Sequence, residues 1–350
     1  MKAAAVDLFC GIGGLTRGLI DAGIPVIAGY DLDETCRYAY ETNNNSTFYC
    51  RDIITLTSAE IIHQYPVDCL RILVGCSPCQ PFSKHTQKNK ARIQGDNWKL
   101  LYSFSRLIEE VQPTIISMEN VCEISYTEVF LNFIETLKTQ EYFTSWSKVY
   151  CPDYGIPQSR RRLVLLASKL GEIQIIPPTH TPDEYPTVEH TICSLSPIAA
   201  GEISPNDPLH RSSALNDLNL KRIRQSQPGG TWRDWDEELL SPCHKKKSGK
   251  SYSGVYARMS RDNLAPTITT QFYNYGTGRF GHPEQDRALS LREGALLQTF
   301  PPDYEFIDPK MKIYFKSIGT QIGNAVPVRL GYIIGISIIE HIKECYKNEE

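Results

Sequence analysis

Residues 3 to 23 carry a pattern that few folds accommodate. Ala3-Ala4-Ala5-Val6-Asp7-Leu8-Phe9 is an apolar run of strand length, Cys10-Gly11-Ile12-Gly13-Gly14 is a glycine turn, and Leu15 to Ala22 has helical spacing stopped by Gly23. A strand, a glycine loop and a helix in that order open a parallel crossover, so the chain should build an α/β fold, a doubly wound parallel sheet with helices on its faces. A dinucleotide fingerprint counted from Gly11 would need a third glycine where Thr16 stands, which weakens a pyrophosphate reading. Ile24 to Tyr30 reads as a second strand ending at Asp31, about twenty residues past the loop, where an acid can accept both hydroxyls of a ribose. An adenosine-containing cofactor is implied.

A chain of 350 residues has room for two lobes, and 41% apolar with 22% charged residues is ordinary globular composition. No apolar run reaches membrane-spanning length, and Met1 to Asp7 lacks the apolar core of a signal peptide, so a cytoplasmic protein is expected. Eleven cysteines, an odd number without a repeated spacing, fit reduced thiols. Net charge is −3, so any binding to nucleic acid must come from local basic clusters.

Leu70 to Val74 reads as another buried strand, followed by Gly75-Cys76-Ser77-Pro78-Cys79-Gln80-Pro81-Phe82-Ser83. Pro78 and Pro81 bracket Cys79 and Gln80 and forbid regular structure there, which presents the thiol on a stiff loop. Lys84, His85, Lys88, Lys90 and Arg92 follow with no acid before Asp96, and nearby positive charge raises a thiolate fraction. A nucleophile fits; so, more blandly, do a buried structural cysteine and a redox or zinc pair made with Cys76. No second such pair exists, and no metal site is expected. Leu100 to Val111 has the spacing of a core-facing helix, and Thr114 to Met118 that of a strand ending at Glu119-Asn120-Val121, on the same sheet edge as Cys79. Alone, Glu119 could equally be a cap or an ion-pair partner. Residues 154 to 167 enter a further strand through a basic turn, where alternation puts Arg160 and Arg162 on one face and Arg161 on the other. From Ile176 to about Arg258 prolines are frequent and basic, aromatic and glycine residues mix, as a groove-reading surface needs.

Pro78-Cys79-Gln80 in this setting resembles the catalytic loop of the DNA (cytosine-5)-methyltransferases. Five further motifs similar to that family's follow its order: Asp7, Phe9, Gly11, Gly13 and Gly14; Glu119-Asn120-Val121; Gln158, Arg160 and Arg162; Pro266 to Thr270; and Gln321 to Pro327. The resemblance implies a Rossmann-like catalytic domain over residues 1–177 that binds S-adenosyl-L-methionine, a target-recognition lobe over 178–284, and a segment 285–350 that returns to the first domain and closes with an amphipathic helix from Val328. It assigns the cofactor to Asp7, Phe9, Gly11, Gly13, Gly14, Asp31, Leu32, Asp52, Ile53, Pro78, Leu100 and Asn324. Leu32 replaces the large aromatic often found there.

The same resemblance makes Cys79 the group that adds to carbon 6 of a flipped-out cytosine, Glu119 the holder of its N3 and amine, and Arg160 and Arg162 the support of its carbonyl side. Gln80, Ser83, Lys84, Gln158, Arg222, Arg224, Arg233, Lys245, Lys246 and Lys247 become DNA contacts. The implied enzyme is a monomer that methylates carbon 5 of cytosine in a specific double-stranded DNA sequence, in a restriction-modification system with a cognate endonuclease. An RNA cytosine-5 methyltransferase is disfavoured because the Cys-Phe-Thr tripeptide of that branch is missing. A non-catalytic DNA-binding regulator is disfavoured because Cys79, Glu119 and Arg162 are all present.

Overall fold

The computed structural model describes residues 2–78, 98–250 and 254–347. Its contacts divide the chain into two compact units. The first is Met1–Tyr154, Arg161–Thr179 and Val326–Glu350; the second is Gly155–Arg160 and His180–Ala325.

The first unit is built on a seven-stranded sheet. Its strands are β1 (Ala3–Leu8), β2 (Val26–Asp31), β3 (Thr47–Cys50), β4 (Leu70–Gly75), β5 (Ile115–Asn120), β6 (Phe143–Tyr150) and β8 (Arg161–Ser168); the two-residue β7 (Gln158–Ser159) belongs to the second unit. The order is β3-β2-β1-β4-β5-β8-β6. The first five strands pair parallel, and β8 runs antiparallel to both β5 and β6. The doubly wound α/β sheet expected from the glycine-loop unit is therefore present. β1 and β4 are nearly continuous buried runs, as strands covered on both faces must be. Helices α1 (Gly14–Asp21), α2 (Arg37–Asn44), α3 (Ser58–Ile62), α4 (Lys99–Val111) and α5 (Glu128–Thr139) accompany it. The core joins Val6, Leu8, Leu73, Ile116 and Met118 to Phe104, Leu107, Phe130 and Phe133 from α4 and α5.

The return to the first unit comes at Val326 and not at residue 285. Helix Leu291–Leu297 stays in the second unit because the buried Arg287 clamps Glu293 with bonds of 2.7 and 2.6 Å, and Gln298 donates to the carbonyls of Ile322 and Ala325. Proline- and glycine-rich composition marked where the lobe starts, but nothing so visible marks where it ends.

The final helix, Val328–Lys347, corrects a second expectation. The stretch Phe315–Lys347 does hold an 18-residue window apolar and long enough to cross a membrane, and 67% of that window is buried within the protein. Ser337 Oγ accepts from Ile176 N at 3.0 Å and His341 Nε2 lies 2.7 Å from Ser168 Oγ, so this is a core helix with polar contacts inside the fold.

That helix packs on α1 at backbone distance. A Cβ built on Gly18 would stand 2.3 Å from the Val328 carbonyl oxygen and 2.4 Å from Tyr332 N, and one on Gly331 would stand 2.8 Å from the Leu15 carbonyl oxygen. Gly18→Ala should therefore destabilise the protein by about 1–3 kcal/mol through overpacking, outweighing the roughly 1 kcal/mol that alanine gains in a free helix. Denaturant unfolding measures it; an unchanged midpoint would mean that the helices can separate without cost.

Candidate active site

β1, β2, β4 and β5 run the same way, and their register aligns Leu8 with Tyr30, Leu8 with Gly75, and Gly75 with Met118. The segments that follow them consequently emerge on one edge, the carboxyl edge where open α/β sheets bind ligands. After β1 the chain turns sharply: Phe9 has φ 62, Gly11 φ 51 and Gly13 φ 84. Cys10 N donates to the Tyr30 carbonyl at 3.1 Å and Gly13 N to the Cys10 carbonyl at 2.9 Å, which pins the turn before α1 begins at Gly14. A Cβ built on Gly11 would meet nothing within 4 Å, so the loop borders open space.

Asp31 faces this loop. Its Oδ2 accepts from Gly11 N at 2.8 Å and its Oδ1 from Asp33 N at 2.9 Å. Burial raises its pKa above the usual 3.8, while these backbone donors pull it down. Each oxygen keeps a second lone pair for a further donor. The neighbouring Leu32 is 70% exposed, an apolar side chain that the fold leaves uncovered. Asp52 accepts from Ile54 N at 2.9 Å and shapes the next turn; the Ile53 side chain lies in the core, so only its backbone is left for a ligand. Pro78 is exposed and Leu100 half-buried at the start of α4. Asn324 ends helix Phe315–Asn324 of the second unit, exposed.

Asp7 lies deeper than Asp31, near the end of β1. Only 1% exposed, it accepts at Oδ2 from Thr16 Oγ1 at 2.6 Å; that hydroxyl lies 3.2 Å from the Tyr40 hydroxyl, itself 3.0 Å from Ser46 Oγ. Asp7 thus supports the loop through Oδ2, while its buried Oδ1 receives no hydrogen bond among the described residues. Thr16, which displaced the third glycine, is its partner. Desolvation, partly offset by Thr16 and reinforced by Asp31, pushes the Asp7 carboxyl up to about 7.

Glu119 lies near the end of β5, 2% exposed. Its Oε2 accepts from Cys76 Sγ at 2.7 Å, and its Oε1 lies 3.0 Å from Arg162 Nε. That second contact has the distance of an ion pair without the alignment of a hydrogen bond, and among the described residues no hydrogen bond reaches Oε1. Topology explains the meeting: antiparallel pairing sets Asn120 opposite Leu163, which brings Arg162 beside the end of β5. Asn120 Nδ2 donates to the Ser77 carbonyl at 3.3 Å, so the root of the Pro-Cys loop is tied to β5 at two successive positions. Cys79 itself, with Gln80, Ser83 and Lys84, lies outside the described residues. Arg160 belongs to the second unit, buried, with Nη1 donating to the Ile268 carbonyl at 3.2 Å. Cys76 was not singled out as a site residue, since only the register of β4 and β5 shows that it stands next to Glu119.

Two expected DNA contacts in the second unit prove to be structural. Gln158 is fully buried, donating to the Leu297 carbonyl at 2.7 Å and to Gln298 Oε1 at 2.8 Å while accepting from Ile268 N at 2.9 Å. It ties β7 to the segment that follows strand Ala265–Pro266. Arg222 lies on the buried face of helix Asp217–Gln225, donates to the Leu239 carbonyl and Ser241 Oγ, both at 2.9 Å, and covers the rings of Trp235 and Tyr256. Neither side chain is presented to a base. Arg224 is exposed and pairs with Asp286 at 3.3 Å; Arg233 is exposed over the Trp232 ring. Lys245, Lys246 and Lys247 are exposed, with Lys245 Nζ 4.0 Å from Glu237.

The family model described as C-5 cytosine-specific DNA methylase matches residues 3–340. Type II methylase M.HgiDII of Herpetosiphon aurantiacus is 53% identical over 352 residues, covering 100% of this chain and 98% of that one. Type II methyltransferase M1.BsuMI of Bacillus subtilis (strain 168) is 30% identical, with 94% and 79% covered. Among solved structures, a DNA modification methyltransferase encoded within a prophage (E. coli) matches with a TM-score of 0.73 at 21% identity, covering 98% of this chain and 100% of that one, a likeness of fold.

The buried Asp7 makes stability depend on pH. The group ionises near 3.8 when unfolded and near 7 when folded, so between these values the folded state holds the extra proton, and stability falls as pH rises through that window. The loss should be on the order of a few kcal/mol and complete above the folded value. In Asp7→Asn the unfolding free energy should change less between about pH 5 and about pH 8 than in the parent. An equal change in unfolding free energy between the two pH values for parent and variant, read from denaturant titrations, would show that Asp7 does not carry this dependence.

Proposed function

The chain belongs to the C-5 cytosine-specific DNA methylase family, and on that premise we propose that its methyl donor is S-adenosyl-L-methionine, held at the edge formed by the ends of β1 and β2. The enzyme is a DNA (cytosine-5)-methyltransferase of the kind found in Type II restriction-modification systems. The residues fit this donor: the Asp31 carboxylate has acceptor capacity left for two ribose hydroxyls, Leu32 offers an uncovered apolar side chain for adenine, and Gly11 leaves room at the turn. An acid beside the loop, Asp31, suits a sulfonium cation better than a polyphosphate. When bound, S-adenosyl-L-methionine supplies an electrophilic methyl group.

Glu119 carries the reading of the reaction. Its Oε2 accepts from Cys76, while its buried Oε1, 3.0 Å from Arg162 Nε, receives no hydrogen bond among the described residues, so Oε1 is arranged to receive another donor, and the exocyclic amine of a flipped-out cytosine is one. Carbon 5 of cytosine is a poor nucleophile. Cys79 adds as thiolate to carbon 6, which makes carbon 5 carbanion-like, while Glu119 holds the N3 side and Arg162 steadies charge on the ring. After methylation, loss of the carbon 5 proton and departure of Cys79 restore the ring. The exposed Arg224, Arg233 and lysines 245 to 247 of the second unit supply DNA contacts. The enzyme acts on double-stranded DNA as a cytoplasmic monomer, protecting the sequence that a cognate endonuclease cuts.

Incubation with plasmid DNA and methyl-labelled S-adenosyl-L-methionine, followed by mapping of modified bases, should place label on carbon 5 of cytosine within one short sequence. Label on an exocyclic nitrogen, or on RNA alone, would overturn the reading. Cys79→Ser should abolish transfer and keep cofactor affinity, because a hydroxyl is too weakly acidic to replace the thiolate. Asp31→Ala should weaken the cofactor by about 1.5–3 kcal/mol in calorimetry, as for hydrogen bonds lost to a charged group. Undiminished affinity would move the ribose elsewhere.

A further inference from the structure

We propose that Cys76 is a positioning residue for the reaction: its thiol holds the Glu119 carboxyl group in the orientation that the cytosine ring requires. The inference rests on the reading of Glu119 as the group that holds the base. Glu119 comes from the last residues of a strand, and its side chain has three rotatable bonds. Burial removes the water that would otherwise satisfy it, so protein groups alone decide how the carboxyl plane turns. Arg162 does not decide it, because its Nε–H is not aligned on Oε1. The Cys76 thiol, 2.7 Å from Oε2, does.

The thiol stands on a rigid base. Cys76 N donates to the Leu8 carbonyl at 3.4 Å, the β4–β5 register sets Gly75 beside Met118, and Ser77 is held by Asn120. Cys76 therefore cannot drift away from Glu119 without breaking the end of the sheet. By occupying Oε2 it leaves Oε1 as the oxygen with free lone pairs, and so selects which edge of the carboxyl group meets the base. A thiol is a weak donor, which orients its partner without engaging it as strongly as a hydroxyl would.

The test is a double-mutant cycle on kcat, using single-turnover methyl transfer from labelled cofactor so that slow variants remain measurable. Cys76→Ala should lower kcat by roughly tenfold or more, the effect of losing a hydrogen bond to a buried charged group, with affinity for S-adenosyl-L-methionine changed by less than about twofold. Cys76→Ser, which keeps a donor, should recover most of the rate. In the Glu119→Gln background the further loss from Cys76→Ala should shrink to less than about twofold, because residues that act through one another are not additive. If Cys76→Ala does not fold, Cys76→Val fills the sulfur's volume without a donor and repeats the cycle. An undiminished, multiplicative loss in the Glu119→Gln background would overturn the proposal, as would a loss traced to cofactor affinity or a Cys76→Ala enzyme with full kcat. Should Glu119→Gln itself keep the parental kcat, the reading of Glu119 would fall first, and this inference with it.

Discussion

Parallel pairing of β1, β2, β4 and β5 is the constraint on which the site depends. Strands that run together end together, so the loops after Leu8, Asp31, Gly75 and Asn120 share one edge although up to about a hundred residues separate them in the chain. The antiparallel β8 adds the missing element. Because it enters the sheet from the opposite direction, its first residues, including Arg162, meet the last residues of β5. A sheet made only of parallel strands would have brought the end of β8, with its apolar Leu165 to Ala167, to that position. One reversed strand is what delivers a cation to a buried acid.

Two acids at this edge have been given different work by their surroundings. Asp31 is oriented by backbone N–H groups and keeps capacity for a ligand. Asp7, just before the glycine turn, is buried beneath it and accepts from the hydroxyl of Thr16. Burial without a cation raises its pKa, so the group is half neutral near physiological pH. The loop is thereby held by a hydroxyl–carboxyl contact in place of the close glycine packing of a dinucleotide site, which ties the identity of residue 16 to the kind of cofactor the turn can accept.

The second unit shows how a basic residue can serve structure. Arg222, Arg258 and Arg287 are each buried and each donate to backbone carbonyls; Arg258 and Arg287 also meet an acid at 2.6 Å. A guanidinium carries five donors in a fixed plane, so one side chain can gather several irregular segments that lack a sheet to organise them. In a lobe poor in regular strands that is a substitute for ladder hydrogen bonds. It removes these arginines from the set that can read bases, leaving Arg224, Arg233 and the exposed lysines at the surface.

How much was legible in the chain follows from the range of each interaction. The glycine turn, the strand ends at Asp31 and Glu119, the helix from Lys99 and the closing helix are local patterns of period and backbone permission, and each is visible in a few residues. The motifs, by their order, also carried the family and its chemistry. What remained for the tertiary structure was every outcome decided by pairing: that Cys76 lies beside Glu119, that Thr16 completes Asp7, that Gln158 and Arg222 face inward, and that the second unit extends to Ala325. A single residue's type says what it can donate or accept. Which partner it finds, and whether water is excluded there, depends on strand register and helix packing between segments distant in the chain, and no local pattern encodes those.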